Sequence, residues 1–353
     1  MSTGGELFIL GAGCSVNAGY PVARNMVNAL EAYAKPLPAE AKQIRGCVER
    51  SVQLMKRLGV NSIDELAHRL AQGRADENIN RSDAITQRYR RMAEAKLAVS
   101  ALFLSLEQPA VATGLSSYHN FLHRLFPVTM GRHYQDRLAK ATANVFSFNY
   151  DRLFEISFSR HFEVDSQFGF YGTMGLNSGI QPFHNENLQF DDNRFSFLKL
   201  HGSVGMFAYD DNWGIRVGYL QITPDGSAAP TDATLFEINR DTSLLEEPRS
   251  TLIFFPHEKE YLLSNKKTAF PYHNYAKQVW ERAAKIAADA SEIWLIGYSI
   301  CETDFPYTMN LLRAAKGCKR IVIQSTHPDP IHKKLKVRAS DLSCSLEMYR
   351  EAF

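Results

Sequence analysis

Polar side chains follow two apolar runs of the chain, and their types suit proton transfer and ligand orientation. Asn149 and Asp151 come directly after the apolar run 145–148, and His201 follows the run 197–200. Histidine can act as a general base or hold a hydroxyl because its unperturbed pKa lies near neutrality. Ligands of open α/β sheets bind beyond the carboxyl ends of strands, where these side chains are predicted. Two alternatives stay open: Asp151 as a helix N-cap and His201 as a structural histidine.

A glycine-containing turn near the N-terminus has the form of a phosphate-binding loop. The short apolar run 7–10 ends in Gly11, Ala12 and Gly13, and Pro21 marks a favourable first position for a following helix. Glycine removes the side chain that would keep backbone amides away from a pyrophosphate, and a helix N-terminus favours negative charge. Such turns also occur in strand-turn-helix units that bind no dinucleotide, so this one does not decide the ligand by itself.

Two later apolar runs also end in small and polar residues. The first ends at 296–299 and is followed by Glu302 and Asp304, and the second ends at 322–326. Such residues closing successive strands favour a nucleotide that lies across the edge of a sheet. Ordinary strand-to-helix connections explain the same residues equally well, and helix capping is the simpler role for Glu302 and Asp304.

Bringing these clusters to one edge requires a sheet whose strands alternate with helices. Strands are predicted at the apolar runs 7–10, 145–148, 197–200, 251–255, 293–296 and 320–323. Helices are predicted at 151–161, 270–288 and 304–315. This pattern is typical of an α/β protein with a Rossmann-like parallel sheet and helices on both of its faces.

The alternation is interrupted between the first and second predicted strands. Apolar residues recur there at helical spacing, as in 63–70 and 92–106, with no strand pattern between them. We therefore predict an inserted helical subdomain at 37–126, within a Rossmann-like domain formed by 1–36 and 127–353. Two stretches rich in polar residues are predicted as long loops, 165–194 and 210–240, the second with a hairpin around Pro224.

The composition narrows the class of protein. The chain has 353 residues, of which 45% are hydrophobic and 22% charged, as in a globular protein. A net charge of +2 gives no broad basic surface, so nucleic acid is not indicated as a partner. The five cysteines contain no Cys-x-x-Cys pair, so neither a disulfide framework nor a zinc ribbon is predicted. Without a leader-like or membrane-spanning segment, we expect a cytoplasmic protein that does not associate with membranes.

The order of these clusters resembles the sirtuin family. The matching residues in chain order are Gly11-Ala12-Gly13-Cys14-Ser15, Gly19-Tyr20-Pro21, Asn149-x-Asp151, His201-Gly202 and Gly297-Tyr298-Ser299. The resemblance covers the scaffold but not the helical insertion. It implies catalytic roles for Asn149, Asp151 and His201. The resemblance also implies a binding site for NAD formed by Gly11, Ala12, Gly13, Ser15, Gly19, Pro21, Arg24, Gly297, Ser299 and Gln324.

Departures from that family change the reaction that the resemblance implies. Sirtuin deacylases carry a zinc ribbon of two Cys-x-x-Cys pairs, which this chain lacks, so we expect neither a metal nor protein deacylation. Ala23 stands where the family has an aromatic residue before the arginine of its cofactor loop. The segments 148–151 and 296–299 instead resemble the sirtuin-like domains of bacterial antiphage defence proteins. That likeness implies hydrolysis of NAD to nicotinamide and ADP-ribose.

Two alternatives to NAD hydrolysis remain open from the sequence. An ADP-ribosyltransferase would pass the ADP-ribosyl group to an acceptor other than water. A non-catalytic subunit of a defence complex would sense NAD or ADP-ribose without cleaving it. The resemblance to defence proteins also implies regulation, because an unregulated NAD hydrolase would harm its own cell. We therefore expect a homo-oligomer, a partner such as a separately encoded ATPase, or both.

Overall fold

A computed structural model gives the fold of most of the chain. It describes residues 5–71, 81–113, 115–131, 134–162, 195–211, 214–219, 231, 251–255, 258 and 273–353. The strands are β1 (Gly5–Leu10), β2 (Asn144–Ser147), β3 (Phe197–Lys199), β4 (Gly202–Asp211), β5 (Gly214–Tyr219), β6 (Thr251–Ile253), β7 (Ala290–Ile296), β8 (Arg320–Gln324) and β9 (Ser345–Tyr349). The loop predicted at 165–194 and the turn predicted around Pro224 lie outside the described residues. The loop predicted at 210–240 is wrong in its first part, where the end of β4 pairs with β5.

The main sheet is parallel and six-stranded, in the order β3-β2-β1-β7-β8-β9. The central strand β1 is buried from Leu7 to Leu10, as expected of a strand covered on both faces. The chain first builds β2 and β3 on one side of β1 and then crosses to β7 on the other side. The strand order therefore reverses between β1 and β7, and in such sheets the ligand crevice lies at this switch point. The predicted α/β, Rossmann-like fold is confirmed.

Helices flank the sheet and fill the predicted insertion. They are α1 (Met26–Ala34), α2 (Lys42–Leu58), α3 (Ile63–Ala71), α4 (Arg81–Ser105), α5 (Glu107–Thr113), α6 (Ser116–Leu125), α7 (Tyr134–Lys140), α8 (Leu153–Phe162), α9 (His273–Ala288), α10 (Phe305–Ala314) and α11 (Asp329–Arg338). Helices α2 to α6 fall within 37–126, while the domain bounds themselves stay a prediction.

Among these described helices, none alone is long and apolar enough to cross a membrane. One pair of helical segments, 90–113 with 116–130, is bent by 77° and meets the test by length and composition only.

Aromatic rings pack the helices onto one face of the sheet. Phe8 of β1 meets Phe121 of α6 edge to face at 5.2 Å and stacks on Trp294 of β7 at 6.1 Å between ring centroids. On the same row of the sheet, Phe197 of β3 stacks on Phe154 of α8 at 4.3 Å. Large rings bury much apolar surface and prefer such offset or edge contacts. These ring contacts fix α6 and α8 against the strands.

A second, antiparallel sheet has the strand order β5-β4-β6. The sequence placed 251–255 among the strands of the parallel sheet, and this assignment is wrong. Gly202 (φ 70°) turns the chain into β4, and a Cβ at this position would lie 1.8 Å from the Leu252 carbonyl oxygen. The close approach of Gly202 to Leu252 lets β6 pair with β4 instead of joining the parallel sheet.

The turn after β1 also differs from its prediction. A 3-10 helix spans Ala12–Ala18 and ends at Gly19, whose φ of 87° is left-handed. The first α-helix begins at Met26, so the predicted helix start at Pro21 is wrong. Glycine adopts the left-handed region without a steric penalty, and this conformation ends a helix. The chain therefore makes an additional turn before α1 begins.

Glycines at the switch point allow two backbone turns to touch. The Gly11 amide donates to the Ile296 carbonyl at 2.9 Å, and the Gly13 amide donates to the Gly297 carbonyl at 2.8 Å. Gly297 has a left-handed φ of 58°, and a Cβ there would lie 2.6 Å from the Cys14 amide nitrogen. Backbone atoms cannot move away as the end of a flexible side chain can. The contact between the turns after β1 and β7 therefore requires glycine at position 297.

Replacing Gly297 by alanine tests this requirement. We expect Gly297→Ala to lower the free energy of unfolding by about 2–5 kcal/mol, since it combines left-handed strain with overpacking. Gly317→Ala is the matched control because a Cβ at Gly317 meets no atom within 4 Å. Urea unfolding of both variants measures the effect. Equal stability of the two variants would show that the contact between the turns tolerates a side chain.

Candidate functional site

A cavity of about 120 Å³ lies at the carboxyl ends of the central strands. Its walls include Ser15 after β1, Asn149 and Asp151 after β2, His201 after β3 and Ser299 after β7. Pockets that enclose whole drug-sized ligands measure about 300–1,000 Å³. The cavity therefore suits a small ligand or one end of a larger one.

The predicted site residues divide into two groups. Those lining the cavity are Ala12, Ser15, Pro21, Asn149, Asp151, His201 and Ser299. Those outside the described lining are Gly11, Gly13, Gly19, Arg24, Gly297 and Gln324. The amides of Gly11 and Gly13 already donate to carbonyls of the β7 turn, so they are not available to a pyrophosphate in this arrangement. The Gln324 side-chain amide donates to the Ala352 carbonyl at 3.3 Å.

Ser15 is the centre of a buried hydrogen-bond network. Its hydroxyl donates to Asp151 Oδ2 at 2.8 Å and accepts from Asn149 Nδ2 at 3.3 Å. The Tyr118 hydroxyl of α6 lies 2.9 Å from the same oxygen. A serine has one proton to donate, so the tyrosine must be the donor in that contact. The network joins the ends of β1 and β2 to the helical insertion.

Asp151 both caps a helix and belongs to this network. Its Oδ1 accepts from the Leu153 amide at the start of α8 at 3.1 Å, while Oδ2 accepts from Ser15. Burial raises the pKa of the Asp151 carboxyl, and the nearby Lys199 ammonium partly opposes that rise. Asp151 therefore accepts a hydrogen bond at the start of α8, as a cap does, and also lines the cavity. With both oxygens engaged, Asp151 is suited to hold neighbours in position.

Asn149 presents a buried acceptor without a hydrogen-bond partner. Its Nδ2 donates to Ser15, and its backbone amide donates to Ser147 Oγ at 3.1 Å. Its Oδ1 is buried and accepts no hydrogen bond within the protein. An unsatisfied buried acceptor costs about 1–3 kcal/mol, so such groups usually meet a ligand or water. In a side chain that lines the cavity, this oxygen fits a ligand that donates an N–H or O–H.

His201 forms a buried pair with Asp304, which the sequence assigned to helix capping. His201 Nε2 lies 3.1 Å from Asp304 Oδ1, and the imidazole stacks on Tyr150 at 5.6 Å. A carboxylate accepts the Nε2 proton, which assigns Nδ1 as the basic nitrogen of the neutral ring. Asp304 stands at the N-cap of α10 but makes no side-chain capping bond. The sequence therefore missed Asp304 as a site residue; its place after β7 was the available signal.

The other candidates near this turn have simple structural roles. Glu302 is exposed and pairs with Lys334 at 2.8 Å and Arg338 at 2.5 Å. The Cys301 thiol donates to Asp304 Oδ2, and burial with that carboxylate raises the pKa of Cys301 to about 12. Cys14 is buried and donates to the Ile296 carbonyl, as expected of a packing residue. Neither thiol is a thiolate at neutral pH, so neither has the form of a nucleophile.

Backbone strain marks the turn that carries these groups. Ile300 has a φ of 50°, the single positive value among the described non-glycine residues. It lies between Ser299 and Cys301, which both line the cavity. A left-handed conformation is costly for a β-branched residue, and strain of this kind concentrates at functional sites. The turn after β7 is thus held in a conformation that its sequence does not favour.

Two helices that fall within the predicted insertion, α3 and α4, form one wall of the cavity. Asp64 of α3 accepts a hydrogen bond from the Tyr150 hydroxyl at 3.1 Å. Phe103 of α4 packs edge to face on Tyr150, and its carbonyl accepts from the Tyr20 hydroxyl at 3.1 Å. Asp64, Phe103 and Tyr20 all line the cavity. The insertion therefore shapes the site, which sequence patterns could not indicate.

Buried ion pairs support the loop from β2 to α8. Arg152 makes two hydrogen bonds to Glu107 of α5, at 2.7 and 2.8 Å, and both side chains are almost fully buried. Lys199 of β3 lies 3.2 Å from the buried Glu155 carboxylate and donates to the Asp151 carbonyl. Buried charges require such partners, because an unpaired ion in the interior is strongly destabilising. These buried ion pairs therefore stabilise the loop that carries Asp151.

Comparisons with known proteins add no identification. Neither known protein families nor curated protein sequences match this chain. The residues and the geometry of the cavity therefore carry the functional conclusion.

Breaking the Arg152–Glu107 pair tests its structural role. Glu107→Gln leaves the Arg152 guanidinium buried without its carboxylate, so we expect a loss of about 3–5 kcal/mol in the free energy of unfolding. The exposed pair between Arg313 and Asp341 is the control, and Asp341→Asn should leave stability nearly unchanged. Urea unfolding compares the two. A small effect of Glu107→Gln would mean that water or another group replaces the carboxylate.

Proposed function

We propose that this protein hydrolyses NAD at the bond between nicotinamide and ribose, giving nicotinamide and ADP-ribose. The observation that carries the proposal is the buried, unpartnered Oδ1 of Asn149 in a cavity shared with the His201–Asp304 pair. Cleavage of this bond by water requires a group that accepts a hydrogen bond from the water or the ribose. It also requires an oriented base, such as an imidazole, that accepts a proton. Further support is the resemblance of these residues to the Asn-x-Asp and histidine positions of sirtuins.

The reaction proceeds through an oxocarbenium-like ribose, as in other glycosidic cleavages. The C1′–N bond breaks, and its electron pair moves to the pyridinium nitrogen, so nicotinamide leaves as a neutral molecule. A water oxygen bonds to C1′ and transfers a proton to a base. The products are ADP-ribose, nicotinamide and one proton. The protein needs to position the ribose and the water and to accept this proton.

Each of the central residues has one role in this scheme. Asn149 Oδ1 accepts a hydrogen bond from the attacking water or a ribose hydroxyl, which satisfies its buried acceptor. His201 accepts the proton, while Asp304 holds the ring and stabilises the imidazolium that forms. Asp151 orients Ser15 and, through Ser15, the Asn149 amide. Asp151 is thus a positioning residue and not the proton acceptor.

The adenosine half of NAD is assigned to the open side of the cavity. Ala12 and Ser299 are exposed residues of the lining, and Arg24 is exposed as well. We assign the pyrophosphate to this side, with the predicted site residue Arg24 as a cation for it. Contact of Gln324 with adenosine would require its side chain to leave the Ala352 carbonyl.

A regulated role in antiphage defence by NAD depletion is part of the same proposal. Homo-oligomerisation and a separately encoded ATPase partner remain predictions, because both come from the resemblance alone. A cytoplasmic setting likewise remains a prediction.

Incubating the purified full chain with NAD tests the reaction. We expect free ADP-ribose and nicotinamide, and a loss of turnover of about 10²- to 10⁴-fold in His201→Ala, because a general base is removed. Asn149→Ala should lose activity as well, while the exposed control His327→Ala should retain it. Chromatography with mass detection identifies the products. ADP-ribosylated acceptor would indicate a transferase, and binding without cleavage a sensor; either result would replace hydrolysis.

Asp304→Asn tests the pairing with His201. The amide keeps the shape of the side chain but removes the charge that favours imidazolium. We expect kcat to fall by about 10²-fold through misorientation of the ring, and the acid limb of the kcat/KM profile to move to lower pH. Glu302→Gln is the control on the same turn, because the Glu302 side chain is exposed and its described ion pairs are to Lys334 and Arg338 of α11. An unchanged pH profile in Asp304→Asn would contradict the pairing.

A further inference from the structure

Three histidines meet where α6 packs against α8, and none of them lines the cavity. His119 and His123 lie one turn apart on α6, and His161 lies near the end of α8. One ring nitrogen from each residue lies within 4.8 Å of the other two, and the Nε2 atoms of His119 and His123 are 2.9 Å apart. We call these three residues the histidine cluster. No part of the proposed reaction uses it.

The packing of α6 on α8 brings the cluster together. Phe121 of α6 meets Phe154 of α8 edge to face at 6.4 Å. Residues four apart on a helix share one face, so His119 and His123 point to the same side of α6. His161 then approaches both rings from α8, with centroid distances of 5.7 and 4.6 Å. The cluster therefore spans the boundary between the predicted insertion and the sheet-bearing domain.

His161 has a nitrogen suited to a ligand. Its Nε2 is buried and makes no hydrogen bond within the protein, while the ring forms a hydrogen bond with the Phe126 backbone through its other nitrogen. Metal-binding histidines usually donate their second ring N–H to a carbonyl or carboxylate, which fixes the tautomer and aims the other nitrogen. His161 has this arrangement without a partner for the aimed nitrogen.

We propose that the histidine cluster binds one divalent transition-metal ion of the zinc type through three imidazole nitrogens. Imidazole is a preferred ligand of such ions, and Zn–N bonds of about 2.0–2.1 Å place tetrahedral ligand atoms about 3.3 Å apart. The observed separations, 2.9 Å for one pair and at most 4.8 Å overall, reach that geometry with small side-chain rotations. Water completes the coordination. The proposal departs from the sequence-based expectation of no metal, which rested on cysteines.

Two arginines near the histidine cluster are hydrogen-bonded to backbone carbonyls. Arg160 donates to Val111 at 3.3 Å, and Arg137 donates to Gly131 at 2.8 Å.

The bound ion acts as a clamp between α6 and α8. Tyr118, next to His119 on α6, contacts Ser15, and α8 begins at the Asp151 cap. A ligand that binds only the folded state stabilises it by mass action. The ion therefore raises the thermal stability of the chain, independently of whether NAD is cleaved.

Titration of the metal-free full chain with Zn²⁺ tests the proposal by calorimetry and thermal unfolding. We expect one saturable site and a rise in Tm, with His161→Gln weakening Zn²⁺ binding at least about 100-fold. His119→Gln should weaken binding in the same way. His327→Gln, an exposed histidine outside the cluster, should bind like the parent chain.

Two readouts keep the result separate from folding and from NAD chemistry. Unfolding of each metal-free variant shows whether it retains the parent fold, and Co²⁺ in place of Zn²⁺ reports the coordination by its visible absorption. Intense tetrahedral bands in the parent and their loss in His161→Gln support the site. Parent-like Zn²⁺ affinity in a folded His161→Gln, or no saturable binding by the parent, overturns it. NAD cleavage does not enter either measurement.

Discussion

The backbone contact between the turns after β1 and β7 fixes the geometry on which the site depends. Two amide-to-carbonyl hydrogen bonds join these turns, and they form only because Gly11, Gly13 and Gly297 lack side chains. This contact sets the start of the 3-10 helix that carries Ser15, and the strained turn that leads to Asp304. In a dinucleotide-binding fold, glycines at this place are expected to face a phosphate. Here their amides face the neighbouring strand, so the same residues serve the construction of the cavity.

Burial gives the polar groups around this contact their chemical character. Water is largely excluded from the network, so each charge depends on a protein partner, as in the Arg152–Glu107 and Lys199–Glu155 pairs. The Asn149 acceptor is the exception within the lining, because it is buried and unmatched. A site whose charged groups have protein partners, but in which one buried acceptor beside the cavity has none, is pre-organised for a ligand.

The sequence predicted the parallel sheet and the residues after its strands because both depend on local patterns. Apolar runs located five of the six parallel strands, and Asn149, Asp151 and His201 do meet at one cavity. The edge strand β9 has no buried residue and was missed. Asp304, Asp64 and the histidine cluster depend on contacts between distant segments, which no single motif encodes. Sequence patterns likewise could not predict the direction of the Gly11 and Gly13 amides, because it depends on their hydrogen bonds to the end of β7 and the turn after it.

The central position of β1 has a consequence for synthesis of the chain. Ile9 pairs with Phe146 on one side and with Leu295 on the other, so its second neighbour arrives 286 residues later. At a ribosomal rate of about 5–20 residues per second, that delay is roughly 15–60 s. For this time the buried strand β1 lacks half of its hydrogen-bond partners, and a nascent chain in that state is a natural client for chaperones.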